Sequence, residues 1–130
     1  MSAKNKNLSA HKIFAVDTAG KLKIAIAVSE YNLEITSALR KACVQALLKY
    51  GVKEKNIFVE LVPGAFELPL AAKWLYESQK ADAVIVLGCV IKGDTDHDFY
   101  INTAVSQAMM NLSLQTKAPF IFGVITPNNL

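Results

Sequence analysis

Apolar residues fall along this chain in two alternating periods. Residues 24–28 (IAIAV) are apolar without interruption. After them Ile35, Leu39, Ala42, Cys43, Ala46, Leu47 and Tyr50 recur at the three-to-four spacing of one helical face. Gly51 supplies a helix stop. Asn32 is suited to cap the start, its side-chain oxygen accepting from a free N–H of the first turn. The same sentence is then repeated. Residues 57–62 predict a second strand, Pro63-Gly64 breaks it, and Leu68, Ala71, Ala72, Leu75 and Tyr76 form a second helical stripe with Pro69 in its first turn. Residues 83–91 predict a third strand, followed by a polar turn and a helical face of Ile101, Ala104, Val105, Ala108, Met109 and Leu112. A fourth strand spans residues 120–125 after Pro119.

Strands that are apolar throughout, instead of alternating, are those buried on both faces of a parallel sheet. The pattern therefore predicts a three-layer α/β/α sandwich with a four-stranded parallel sheet. Residues 1–22 form an arm outside this domain, polar over residues 1–9, with a short β-capable run, KIFAV, at residues 12–16. An isolated apolar strand at a terminus pairs within its own sheet or with a neighbouring chain, and so hints at oligomerisation. Residues 23–130 form the α/β domain. Its last residues, Pro127-Asn128-Asn129-Leu130, fall where a fourth helix would begin, and without such a helix apolar sheet surface is expected to be exposed.

Composition changes this picture little. At 130 residues the chain suits one domain. Fourteen Lys and Arg against eleven Asp and Glu leave a net charge of +3, too small and scattered to argue for nucleic acid or an anionic membrane. Both cysteines, Cys43 and Cys89, lie in apolar periodic segments. That suits buried thiols in a reducing compartment, and the sequence has neither a signal-peptide pattern nor an apolar run of membrane-spanning length. A cytoplasmic protein is the expectation.

In a parallel sheet all strand-to-helix turns meet at the carboxyl edge, where ligands of open α/β folds bind. Three turns qualify here: residues 29–32 (SEYN), 63–67 (PGAFE) and 92–97 (KGDTDH). Tyr31 and Phe66 stand where ring faces could sandwich a planar ligand, although turn aromatics also serve as plugs over a sheet end. His97 lies at a helix start, where the positive end of the macrodipole favours a neutral ring able to accept a proton, although on composition alone an ordinary turn histidine is the commoner occupant of such a position. Adjacent Asp94, Asp96, His97 and Asp98 do not have metal-ligand spacing, and no second His or Cys pair completes a set. Neither phosphate-binding glycine motif is present, nor a Gly-x-Ser-x-Gly turn, and Cys89, within a strand, reads as inert.

Four segments taken in order closely resemble the 6,7-dimethyl-8-ribityllumazine synthase family: Glu30-Tyr31-Asn32 with Ile35-Thr36; Val62-Pro63-Gly64-Ala65-Phe66-Glu67-Leu68-Pro69; residues 87–100; and residues 119–126 (PFIFGVIT). The resemblance covers residues 23–130. It implies a flavodoxin-like fold and the penultimate step of riboflavin biosynthesis. In that step 5-amino-6-(D-ribitylamino)uracil condenses with 3,4-dihydroxy-2-butanone 4-phosphate, with neither metal nor organic cofactor. It also implies homo-oligomers, either pentamers with sites between neighbouring subunits or shells of twelve pentamers, with riboflavin synthase as a further possible partner.

By the same resemblance Tyr31 stacks on the pyrimidine. Ala65, Phe66 and Glu67 contact the ribityl chain and ring, and Cys89, Val90 and Ile91 read the ring edge. Asp94 and Thr95 meet the butanone phosphate, His97 transfers protons, and Phe122 reaches a neighbour's site. The chain departs from the family pattern at Glu30 and Lys92, where arginines are usual, and at Asp98-Phe99, which inverts the usual aromatic-Asp order. The family also continues into a helix whose arginine binds phosphate. Those departures keep open an alternative, a catalytically inactive lumazine- or flavin-binding or shell-forming protein of the same fold.

Overall fold

The computed structural model describes residues 16–129. The KIFAV strand of the arm lies outside the described residues except for Val16, whose N–H donates to the Tyr50 carbonyl at 2.9 Å. Four strands and three helices alternate: β1 (Ile24–Ser29), α1 (Leu33–Tyr50), β2 (Ile57–Val62), α2 (Leu68–Ser78), β3 (Ala83–Cys89), α3 (His97–Thr116) and β4 (Phe120–Ile125). Every strand pair is parallel, in the order β2-β1-β3-β4. The order reverses at β1, which has β2 on one side and β3 on the other.

Side chains alternate across the sheet into two cores. Ala25, Ala27, Val84, Val86, Phe120 and Val124 face α2 and α3, meeting Leu68, Ala72, Leu75, Val105, Met109 and Leu112. Ile24, Ile26, Val28 and Leu87 face α1, meeting Leu39, Cys43, Val44 and Leu47. The three-layer expectation therefore holds, but full burial of the strands does not extend to the edges. All six residues of central β1 are buried, whereas β2 and β4 are half exposed because each has a neighbour on one side only.

Beside Ile85 on the α1 face, Ile121 and Ile125 of β4 are 49% and 42% exposed, since among the described residues α1 alone covers that face.

Local boundaries follow the chemistry of the turns. Gly51 adopts φ 107° and closes α1, a conformation glycine reaches without a Cβ penalty. Pro69 occupies the first turn of α2, where its missing N–H has no intrahelical acceptor to lose. A single 3-10 turn (Ala65–Glu67), not visible in the apolar pattern, precedes α2, pinned by the Gly64 N–H donating to Glu67 Oε1 at 2.9 Å. β3 ends at Cys89 and not at Ile91. The Val90 and Lys92 N–H groups still reach the Ile125 and Pro127 carbonyls at 3.0 and 3.1 Å, so the chain runs on beside the end of β4 after the strand itself has stopped.

Candidate active site at the carboxyl edge of the sheet

The three strand-to-helix turns surround an open cavity of about 820 Å³, within the usual range for small-molecule sites. Tyr31 comes from the turn after β1. Gly64, Ala65, Phe66 and Glu67 come from the turn after β2. Cys89, Val90, Ile91, Gly93, Thr95 and His97 come from the end of β3 and the turn beyond it, and Asp98, Tyr100 and Ile101 from the start of α3. Tyr31, Phe66 and Tyr100 are each more than 60% exposed. Their rings therefore offer faces to a ligand and do not plug the sheet end.

His97 is the first residue of α3, and its ring is on the exposed side of the cavity. Its backbone N–H donates to Thr95 Oγ1 at 3.3 Å, while the N-cap residue Asp96 makes no side-chain cap. Thr95 thus anchors the helix start that presents the imidazole. Cys89 is buried, and burial pushes its thiol above the ordinary value of 9.0, which keeps it protonated at neutral pH. Among the described residues no three His, Cys, Asp or Glu side chains stand close enough to hold a metal ion.

Two residues assigned to the site by resemblance lie elsewhere. Asp94 is exposed on the turn outside the cavity lining, and Phe122, in the middle of β4 and 40% exposed, does not line this chain's own cavity, as its assignment to a neighbouring copy's site requires. Conversely, Gly64, Gly93, Asp98, Tyr100 and Ile101 line the cavity without the sequence having given them a binding role. Ile101 could not have been, because its helical spacing matches core residues equally well.

Asn32 requires a correction. It holds the N-cap position of α1, yet its side chain caps nothing. Its backbone is left-handed (φ 63°, ψ 51°), and Nδ2 instead donates to the Cys89 carbonyl at 2.9 Å, across the opening between the first and third turns. Asn tolerates this backbone better than most residues, a signal readable in the sequence, but nothing local names the acceptor 57 residues away.

A parallel sheet in the order 2-1-3-4, with a cavity at the β1/β3 switch point, defines a flavodoxin-like α/β protein with an open cavity at the carboxyl edge, where proteins of this topology bind small ligands. Comparison with known proteins carries the assignment further. The family model described as 6,7-dimethyl-8-ribityllumazine synthase matches residues 21–130. Proteins of that name from Parabacteroides distasonis and Porphyromonas gingivalis are 43% and 42% identical over the whole chain, which spans 81% of each. One from Bacteroides fragilis is 45% identical over 84% of this chain and 76% of its own length. The chain belongs to the 6,7-dimethyl-8-ribityllumazine synthase family.

Proposed function

We propose that the cavity is where this chain carries out its family's reaction, the condensation of 5-amino-6-(D-ribitylamino)uracil with 3,4-dihydroxy-2-butanone 4-phosphate. One observation carries the reading. Tyr31, Phe66, Glu67, the Cys89 to Ile91 strand end, Thr95 and His97 come from three separate turns and line one cavity.

The rings of Tyr31 and Phe66 supply faces for a flat pyrimidine. The backbone of Cys89 to Ile91 supplies donors and acceptors for its edge. Thr95 lies beside the first turn of α3, whose free N–H groups favour the phosphate. His97, in the same turn, moves protons as the amine adds to the ketone, phosphate leaves and the ring closes.

The exposure of Phe122 on β4, 40%, supports a homo-oligomer in which that ring reaches a neighbouring copy's cavity. A pentamer, alone or in a shell, fits that need. No described helix is long and apolar enough to cross a membrane, in keeping with a cytoplasmic enzyme.

The test is lumazine formation by the full-length protein, followed by absorbance. Replacing His97 by Ala should lower kcat about 10²–10⁴-fold with little change in KM. Tight pyrimidine binding without turnover would replace this reading by the inactive binding protein, and an unimpaired His97→Ala enzyme would remove His97 from the chemistry.

A further inference from the structure

We propose that Asn32 is a positioning residue, one that sets the width of the crevice by bracing the Tyr31 turn against the end of β3. The inference rests on the reading of the cavity as the pyrimidine site.

Its basis is where the sheet ladder runs out. The last β1–β3 pair is Val28 with Leu87, and Ser29 already pairs with Val62 of β2. Beyond that point the turn follows β2: the Glu30 N–H donates to the Val62 carbonyl at 2.7 Å and the Tyr31 N–H to the Pro63 carbonyl at 3.1 Å. Nothing of the backbone ladder then ties this turn to β3, although Cys89 still presents a carbonyl there. The Asn32 amide supplies the missing rung.

The side chain is free to do so because capping is handled by the backbone. The Asn32 carbonyl accepts from the N–H groups of Ile35 at 3.0 Å and Thr36 at 3.1 Å. Tyr31 is 73% exposed, so side-chain packing does not hold its ring in place. The ring's position over the cavity is therefore inherited from the turn, which β1 and α1 hold from either side and which this hydrogen bond ties directly to the end of β3. Cys89 and Tyr31 both border the cavity, so a loosened brace changes the space between the turn and the strand end.

Two substitutions separate the brace from the backbone conformation. Asn32→Gly accepts φ 63° but has no donor, and Asn32→Asp keeps size and left-handed tolerance while turning an oxygen toward the Cys89 carbonyl. Both should raise KM for the ribitylaminouracil about tenfold or more, Asn32→Asp the more strongly, with KM for the butanone phosphate unchanged and the unfolding midpoint little altered. In a Tyr31→Ala background, Asn32→Gly should add almost nothing to KM, because the ring it positions is gone.

Unchanged pyrimidine KM in both variants would overturn the proposal. So would a parallel rise in both KM values with a fall in stability, which marks a purely structural role. If the wild-type protein makes no lumazine, the active-site reading fails on its own. The brace is then judged by calorimetric Kd for ribitylaminouracil, where equal Kd in wild type and both variants overturns it.

Discussion

Adding one methyl group beneath the cavity, by Gly88→Ala, probes how tightly the first two turns are seated. A Cβ at Gly88 would lie 3.0 Å from Ser29 Oγ, 3.3 Å from Leu68 Cδ1 and 3.6 Å from Val124 Cγ2. The first two contacts fall short of the roughly 3.5–4.0 Å at which carbon contacts turn favourable. Neither neighbour has an escape, since Ser29 and Leu68 are both fully buried, one ending β1 and the other beginning α2. Overpacking of this kind costs about 1–3 kcal/mol.

A double-mutant cycle isolates the closest contact. Ser29 Oγ has no hydrogen-bond partner among the described residues, so Ser29→Ala should be neutral or stabilising by up to about 1 kcal/mol. In that background the 3.0 Å contact is absent, and Gly88→Ala should cost at least about 0.5 kcal/mol less than in wild type. Urea unfolding at one fixed protein concentration measures all four corners, because stability of an oligomer depends on concentration. A Gly88→Ala cost below about 0.5 kcal/mol, or an equal cost in both backgrounds, refutes this account of the packing.

Other changes test other parts of the site. Tyr31→Ala should raise pyrimidine KM about 5- to 150-fold, the worth of one ring-on-ring stack, with unfolding unaffected because the ring is exposed; an unchanged KM would exclude stacking. Burial raises the thiols of Cys43 and Cys89, so the native state holds those protons more tightly than the unfolded chain. Their contribution to stability is complete below the ordinary value of 9.0 and declines as pH rises past it, and Cys89→Ala should flatten that decline in pH-dependent unfolding. Asp98 Oδ1 and Asn102 Oδ1 are both buried without a partner among the described residues. Exchanging Asp98 with its neighbour Phe99, as Asp98→Phe with Phe99→Asp, removes one such oxygen at a gain of about 1–3 kcal/mol and loses the Phe99–Tyr100 edge contact at about 0.5–1.5 kcal/mol. A net stabilisation of roughly 1 kcal/mol is expected in urea, and a loss of that size would refute the accounting.

The fold was legible because run length and spacing carry it. IAIAV can be buried on both faces only as a central strand, and its observed burial is complete. The edges were less legible, because burial of an edge strand depends on what flanks it in space. Residues 57–62 and 120–125 are as apolar as β1 in sequence, yet half exposed in the fold. Of the candidate site, the turn residues were readable from topology, since parallel strands bring all their carboxyl ends to one edge. The direction of each side chain was not. Asp94 and Thr95 are adjacent and equally polar, and only Thr95 lines the cavity. Asp98 lies in a polar run that reads as solvated, whereas the helical turn carries one of its oxygens inward.

The least legible feature is the one that makes the site coherent. Each turn is fastened to a different neighbour: Glu30 and Tyr31 to the end of β2, Asn32 to the end of β3, Val90 to the Ile125 carbonyl and Lys92 to the Pro127 carbonyl. These bonds form one continuous rim from β2 to the segment beyond β4. The side chains mounted on it, Tyr31, Phe66, His97 and Tyr100, are by contrast exposed. Where the backbone is fastened in this way, binding restricts mainly side-chain rotation, at about 0.5–1.5 kcal/mol per group. A rim broken at Asn32 would add the freedom of a whole turn to that cost. For this reason the Asn32 amide, which touches no ring of the site, is expected to govern pyrimidine affinity alongside Tyr31.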